Sequence, residues 1–122
     1  MNVIYEFDVS EEIDSEIKNV VDEKIKDLQD HDRDGVFSVV LHNDPINNLD
    51  YVIEVIEKVF GYGTAKALWL TLKAHFSGKS KLWLGDYKKA KNKANKVIAH
   101  GPDPRCIDKG AMPLTVTVEK EG

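Results

Sequence analysis

The sequence predicts an α+β fold: a β-α-α-β-α-β domain with a three-stranded antiparallel sheet and three helices, preceded by an N-terminal helical extension. Three observations lead to this fold class. Short runs of β-branched residues alternate with longer segments in which apolar residues recur every three or four positions. Glycine or proline interrupts the chain between most of these segments. Acidic residues are concentrated near the N-terminus, and this charge difference separates an N-terminal extension from the domain that follows. In that domain, the helices are expected to cover one side of the sheet.

Composition limits the class of protein. The chain has 122 residues, of which 42% are apolar and 31% charged, as in an ordinary globular domain. A chain of this length can bury a core without structural metal, and the single cysteine, Cys106, excludes an internal disulfide and fits a reducing compartment. No apolar run approaches the ~18 residues that span a membrane, and the N-terminus lacks the basic flank and apolar stretch of a secretory signal. We therefore expect a cytoplasmic protein that does not contact a membrane.

Charge divides the chain within Asp30–Gly35. Residues 1–35 contain 12 acidic and four basic side chains, a net charge of −8. Residues 36–122 contain nine acidic and 13 basic side chains, a net charge of +4. This asymmetry predicts an acidic extension over 1–35 and a compact domain over 36–122.

The extension is predicted to contain a short strand and an amphipathic helix. Apolar residues alternate over Val3–Val9, after which Ser10 can cap a helix of about 18 residues. The apolar side of that helix is formed by Ile13, Ile17, Val20, Val21 and Leu28. Such a stripe either packs on its own domain or binds a partner, and the sequence leaves both possibilities open.

The domain is predicted to begin with a strand and a helix. Val36–Leu41 is rich in β-branched residues, as strands are, and Pro45 prevents the strand from continuing. Leu49–Phe60 has the wide apolar face of a packed helix. Either Asn47 or Asn48 can cap its first turn.

Four further elements complete the predicted order. A second helix covers Thr64–Phe76 and ends at Gly78, and the alternating residues of Ser80–Gly85 predict a strand. Asp86 then caps a third helix that reaches about His100. A loop rich in proline and glycine leads into a last strand, whose alternating apolar residues are Leu114, Val116 and Val118.

Two glycine-containing segments resemble phosphate-binding loops, but each lacks a glycine at the position that the motif requires. Gly61–Gly63 lacks the third glycine of a dinucleotide loop, because Lys66 stands there and the segment joins two helices. Gly78–Ser80 lacks the first glycine of a nucleotide-binding loop, because Lys73 stands there and a strand follows. We therefore expect no cofactor.

Metal and nucleic-acid sites are also disfavoured. Asp30–Gly35 matches the first half of a calcium loop, but Leu41 occupies the twelfth position, where a bidentate Glu is needed, and no His/Cys spacing suits zinc. The third helix carries a lysine cluster at Lys88, Lys89, Lys91, Lys93 and Lys96. Because the whole protein is acidic, we interpret this cluster as a solvated helix face and expect no nucleic-acid partner. Cys106 lacks the flanking pattern of a catalytic thiol.

The remaining candidate site combines Asn43 and Asp44, directly after the first strand, with His75 near the end of the second helix. Each has a structural explanation, because Asn-Asp-Pro is favourable turn chemistry and a histidine near a helix C-terminus interacts well with the helix dipole. The order of elements and the surrounding residues favour a functional explanation instead.

Three blocks of residues, in order and at compatible spacing, surround this set and cover about two-thirds of the chain. They are Leu41–Val52 from the end of the first strand, Leu72–Lys79 at the end of the second helix and Pro113–Lys120 through the last strand. The first contains Asn-Asp and ends in an aromatic-Val pair, the second contains Leu-x-x-His-x-x-Gly-Lys, and the third runs from Pro-Leu to Glu-Lys. With these blocks, the stretch from Phe37 to Lys120 resembles the ClpS family, adaptors of the Clp protease.

The resemblance implies a non-enzymatic adaptor that uses no cofactor. Family members bind proteins whose first residue is Leu, Phe, Tyr or Trp and hand them to the N-terminal domain of a Clp-family AAA+ unfoldase. The resemblance implies substrate-binding roles for Asn43, Asp44, Asn47, Leu49, Thr71, Ala74, His75 and Leu114. Asn43, Asp44 and His75 would hold the free α-amino group, which is a cation with up to three donors. Residues 1–35 occupy the position of the family's N-terminal arm, which acts in delivery.

The pocket for the first side chain is expected to be lined by Leu49, Thr71, Ala74 and Leu114, while Asn47 retains hydrogen-bonding ability. The alternative is a binding module of the same fold without this specificity, as in the C-terminal domain of the ribosomal stalk protein. An enzyme is the third possibility, and it is disfavoured because no nucleophile-base pair, cofactor loop or metal set appears in the sequence.

Overall fold

A computed structural model describes residues 33–122, and within them Gly35–Gly122 forms one compact unit. The predicted strand over 3–9, the predicted amphipathic helix and the residues Asp30 and Asp32 of the calcium-like loop lie outside the described residues. No helix within 33–122 is long and apolar enough to cross a membrane.

Within residues 33–122 the sheet has three strands: β1 spans Phe37–His42, β2 spans Lys79–Gly85 and β3 spans Val116–Lys120. Their order in the sheet is β2-β1-β3, with antiparallel pairing throughout. The central strand β1 is buried along its first five residues, as its β-branched composition predicts. Its last residue, His42, pairs with Lys79, the first residue of β2, so the chain leaves β1 at the edge where β2 begins.

Three α-helices complete the predicted α+β order. They are α1 (Leu49–Phe60), α2 (Thr64–Ser77) and α3 (Tyr87–Ala99). Gly61 ends α1 in the left-handed conformation, with φ of 72°. Asp86 caps α3 as predicted, because its side chain accepts a backbone hydrogen bond of 2.8 Å from the first turn. The three-stranded antiparallel sheet with three helices is confirmed, while the N-terminal helical extension lies outside the described residues.

The core contains apolar residues from the sheet, the helices and the chain before β3. Val39 of β1, Ile56 of α1, Val97 of α3 and Leu114 each expose at most 2% of their surface. Burial of such side chains is the main favourable contribution to folding, at roughly 25 cal/mol per Å². Leu114 was predicted to belong to the last strand, but it precedes β3 and packs in the core.

The segment between α3 and β3 is more ordered than the loop that the sequence predicted. It contains a 3-10 helix over Pro104–Lys109. Asp103 caps this helix by accepting a hydrogen bond of 3.0 Å from the backbone N–H of Arg105. Proline is the first residue of this helix, where its lack of an N–H removes a donor that would otherwise have no partner in the helix. Gly110, with φ of 87°, ends the helix.

The buried carboxylate of Asp103 holds this segment against the start of α1. Asp103 is 1% exposed, and its carboxylate accepts hydrogen bonds of 3.1 Å from the Arg105 guanidinium and from Nδ2 of Asn48. Arg105 also pairs with Asp50 in the first turn of α1, with 2.9 Å between Nη2 and Oδ1. Asn48 occupies the predicted N-cap position of α1, but its side chain makes no capping bond because its amide is directed to Asp103.

These contacts shift the pKa values of the groups involved. The hydrogen-bonded guanidinium of Arg105 lowers the pKa of Asp103 from 3.8 to about 2, and the amide of Asn48 contributes to the same shift. Arg105 also lowers the pKa of Asp50, and hydrogen bonding to the two carboxylates raises the pKa of Arg105. A carboxyl whose pKa is lower in the folded state stabilises that state above its unfolded pKa and loses this effect as the pH falls.

Leu114→Ala should lower the free energy of unfolding by about 2–5 kcal/mol, because it removes a fully buried side chain and leaves a cavity. Urea denaturation followed by circular dichroism measures this change. Met112→Ala is a matched control, since that side chain is 70% exposed, and it should remain within about 0.5 kcal/mol of the parent. A loss below about 1 kcal/mol for Leu114→Ala would contradict its place in the core.

The free energy of unfolding should fall as the pH is lowered from about 4 to about 2, the interval between the unfolded and folded pKa values of Asp103. Asp103→Asn should be less stable than the parent at pH 7 and should lose less stability over this interval. Arg105→Ala should flatten the same part of the curve, because the guanidinium is the main cause of the shift. Thermal unfolding at a series of pH values measures both effects, and an Asp103→Asn curve parallel to that of the parent contradicts them.

Candidate functional site

The candidate site lies where the end of β1 meets the end of α2. The backbone N–H of Asn43 donates to the carbonyl oxygen of Gly78 at 2.9 Å, and the N–H of His42 donates to the carbonyl of Thr115 at 3.0 Å. Gly78 ends α2 with φ of 94°, a conformation that side chains other than glycine rarely adopt. These bonds hold the backbone of Asn43 and Asp44 beside the last turn of α2.

The carboxylate of Asp44 organises the turn that follows. Its Oδ1 accepts hydrogen bonds from the backbone N–H groups of Ile46 (2.9 Å) and Asn47 (3.0 Å). Its Oδ2 accepts a hydrogen bond from Nδ2 of Asn47. A carboxylate has about four lone-pair sites. Asp44 is half-buried, so a negative charge with unused acceptor capacity remains within reach of a ligand.

Asn47 is buried beside Asp44 and is hydrogen-bonded to its carboxylate. It is 4% exposed, and its amide is fully engaged. Nδ2 donates to the Asp44 carboxylate and to the carbonyl oxygen of Met112 at 2.8 Å, while Oδ1 accepts from the backbone N–H of Asp103 at 2.8 Å. Asn47 therefore supports the Asp44 carboxylate, and its expected contact with substrate stays a prediction.

A small pocket opens between β1, α1 and α2, with a cavity volume of about 10 Å³. The residues that line it are Leu41, His42, Asn43, Asp44, Leu49, Val52, Thr71, Ala74 and His75. Sites for drug-sized ligands usually enclose about 300–1,000 Å³. The enclosed part of this pocket has room for about one water molecule, so it is a shallow depression and not a deep cavity.

The interior of the pocket is apolar. Leu41, Val52 and Ala74 are each at most 3% exposed and belong to the core. Thr71 is equally buried, and its hydroxyl donates a hydrogen bond of 2.8 Å to the carbonyl of Ala67 in the same helix. Because that hydroxyl is already paired, an apolar ligand group in the pocket displaces no hydrogen bond from it.

The more exposed lining residues combine polar groups with one aliphatic side chain. Asn43 and His75 are exposed, and Leu49, the first residue of α1, is 36% exposed. The His75 ring packs edge-on against Phe76, with 4.9 Å between the ring centroids. An amide, an imidazole and the Asp44 carboxylate thus lie beside one apolar pocket, which is a set of acceptors suited to a cationic donor.

Leu114 is not among the residues that line this pocket, and its expected contact with the first side chain of a substrate stays a prediction. Its side chain is 2% exposed and packs within the core cluster. Three lining residues were missed: Leu41, His42 and Val52. A signal for Val52 existed, because it follows Leu49 by three positions on one face of α1. Leu41 looks like any other residue of a buried strand and carries no such signal.

Residues 33–122 contain no group of three or more His, Cys, Asp or Glu side chains close enough to hold a metal ion. Cys106 is buried, and its Sγ accepts a hydrogen bond of 3.3 Å from Nδ2 of Asn48. The thiol is therefore part of the packing between the 3-10 helix and α1.

Comparison with known proteins gives a solved structure of the same fold. The structure of Agrobacterium tumefaciens ClpS2 bound to L-phenylalaninamide superposes with a TM-score of 0.61 at 23% identity, covering 70% of this chain and 96% of that chain. At this identity the likeness concerns the fold alone.

Sequence relatives are more similar. The ATP-dependent Clp protease adapter protein ClpS of Rhodococcus jostii is 35% identical over 72 residues, which cover 59% of this chain and 64% of that protein. The protein of the same description from Clostridium acetobutylicum is 31% identical over 102 residues, covering 84% of this chain and 95% of that protein. The chain thus spans slightly less than two-thirds of the Rhodococcus relative and almost all of the Clostridium relative. The family model described as ATP-dependent Clp protease adaptor protein ClpS matches residues 32–117, and this match over most of the described domain shows that the chain belongs to the ClpS family.

Proposed function

We propose that the chain is a non-catalytic adaptor for proteins with Leu, Phe, Tyr or Trp as their first residue. It delivers them, in the cytoplasm, to the N-terminal domain of a Clp-family AAA+ unfoldase. The observation that carries this proposal is the apolar pocket bordered by the acceptors Asn43, Asp44 and His75. Membership of the ClpS family supports the same role.

The free α-amino group of a substrate is the feature that these polar side chains fit. It is a cation with up to three N–H donors, and it occurs once in each polypeptide. The Asp44 carboxylate supplies the opposite charge, the side-chain oxygen of Asn43 supplies a second acceptor, and neutral His75 accepts directly or through a water molecule. The related protein of Agrobacterium tumefaciens was solved with L-phenylalaninamide, a small molecule that carries both a free amine and an aromatic side chain.

The first side chain of the substrate would occupy the pocket. An interior formed by Leu41, Val52 and Ala74 favours an aromatic or large unbranched group, while Leu49 at the start of α1 limits its shape near the backbone. Charge-assisted hydrogen bonds of ~1.5–3 kcal/mol each, together with a similar gain from burial of the side chain, give roughly micromolar affinity after the cost of association.

Residues 1–35 are proposed to act in delivery and not in substrate capture. They carry a net charge of −8 and precede a domain of net charge +4, and they occupy the position of the family's N-terminal arm. Within residues 33–122 the pocket lining extends from Leu41 to His75, which supports a capture site formed by the domain.

Peptides that begin with Leu, Phe, Tyr or Trp should bind, and acetylation of the amine should reduce their affinity at least tenfold, because a neutral amide loses the charge-assisted bonds to Asp44. Fluorescence anisotropy with labelled peptides that differ only at the first residue measures this preference. Equal binding of free and acetylated peptides contradicts the proposal and favours a binding module of the same fold without N-terminal specificity.

Site variants separate recognition from folding. His75→Ala removes an exposed side chain and should abolish detectable peptide binding while lowering the melting temperature by only a few degrees. Asp44→Ala should have the same effect on binding. Trp69→Ala is a matched control, because Trp69 is on the same helix as His75 and 60% exposed but does not line the pocket, and it should retain most of the affinity.

Deletion of residues 1–34 should leave peptide affinity within about threefold, a change below ~0.7 kcal/mol, but should prevent degradation of a reporter with an N-terminal Phe by a Clp unfoldase and protease. Degradation and peptide binding are measured on the same preparation. Full degradation by the shortened protein contradicts a role for 1–35 in delivery. Loss of folding instead assigns the predicted amphipathic helix to the core.

A further inference from the structure

The segment 101–112 reaches the site through the amide of Asn47. The backbone N–H of Asp103 donates to Oδ1 of Asn47 at 2.8 Å, and Nδ2 of Asn47 donates to the carbonyl oxygen of Met112 at 2.8 Å. The same Nδ2 donates to Oδ2 of Asp44. Asn47 therefore connects two points of this segment to a carboxylate that lines the pocket.

These partners allow one orientation of the Asn47 amide. With Oδ1 facing the N–H of Asp103, the two N–H donors of Nδ2 face the carbonyl of Met112 and the carboxylate of Asp44. A flipped amide would set its oxygen against two acceptors and its NH₂ against a donor, leaving buried polar groups unpaired. The segment therefore decides that Asn47 presents a donor, and not an acceptor, to Asp44.

The segment is itself fixed by the carboxylate of Asp103, which is almost completely buried. Arg105 and Asn48 donate to that carboxylate, and Arg105 extends to Asp50 on the surface of α1. We call the set Asn47, Asn48, Asp103 and Arg105 the clasp. Of its members, Asn47 alone contacts a carboxylate of the pocket lining, so the clasp acts on the site through one side chain.

We propose that the clasp positions the Asp44 carboxylate for recognition of the substrate amine and that Asp103 is a positioning residue for that recognition. This inference rests on the proposed function. With Oδ1 held by two backbone N–H groups and Oδ2 held by Asn47, the carboxylate has a fixed orientation before a ligand arrives. A receptor group that is already oriented loses less conformational entropy on binding.

The test compares Asp103→Ala with Asp50→Ala in the full chain. Asp50→Ala removes the outer partner of Arg105 and leaves the clasp intact, so it should keep peptide affinity within twofold. Asp103→Ala should weaken binding of a free-amine Phe peptide by about tenfold and reduce the preference for free over acetylated peptide. The preference for Phe over Val at the first residue should stay unchanged, because the clasp does not form the interior of the pocket.

A second measurement reports on Asp44 without any peptide. The backbone amides of Ile46 and Asn47 donate to Oδ1 of Asp44, so their hydrogen exchange, followed by NMR, indicates whether the turn around this carboxylate is ordered. Exchange at these amides should be faster in Asp103→Ala and unchanged in Asp50→Ala. Asp103→Asn keeps an acceptor for the backbone N–H of Arg105 and serves as the second variant where Asp103→Ala does not fold.

The outcomes distinguish this inference from the proposed function. A reduced preference for the free amine with faster exchange and unchanged Phe-over-Val preference supports the positioning role. An unchanged preference for the free amine in the Asp103 variants overturns it, as does loss of both preferences together, which marks collapse of the pocket. A parent protein that binds free and acetylated peptides equally refutes the proposed function. In that case the hydrogen-exchange rates of the Ile46 and Asn47 amides alone decide whether the clasp orders Asp44. Unchanged rates in the Asp103 variants then overturn the positioning role.

Discussion

The hydrogen bond from the backbone N–H of Asn43 to the carbonyl of Gly78 joins the end of the central strand to the end of α2. Each side of the site depends on this connection. Asn43 and Asp44 follow β1, while Thr71, Ala74 and His75 belong to the last two turns of α2. Because Gly78 both ends the helix and accepts this bond, one residue determines where α2 stops and how close the loop after β1 approaches it.

The same chemical group serves two purposes in this domain. The carboxylate of Asp103 is buried and surrounded by donors, so it stabilises a segment and leaves little capacity for a ligand. The carboxylate of Asp44 is half-buried, and the donors that it accepts from belong to the turn that follows it. It remains accessible from the pocket, which it lines. Burial and the number of donors decide the difference, since a charge fully removed from water needs complete compensation.

The regular elements could be predicted from the sequence because their signals are local. The predicted helix Leu49–Phe60 has the observed bounds, and Asp86 was identified as a cap from its place before a periodic segment. The positions of two of the predicted site residues depend on contacts between distant parts of the chain. The bond that holds Asn47 beside Asp44 joins residues 56 positions apart, and the core position of Leu114 depends on packing that no local pattern records.

The apolar interior of the pocket is formed by residues that also belong to the hydrophobic core. A change of volume at Leu41, Val52 or Ala74 therefore alters ligand selectivity and global stability together, since interiors tolerate neither cavities nor overpacking. Leu49 and His75 are exposed, and mutations there carry less of that penalty. Evolutionary change in ligand preference is therefore expected mainly at these two exposed lining residues, where a substitution leaves the fold intact.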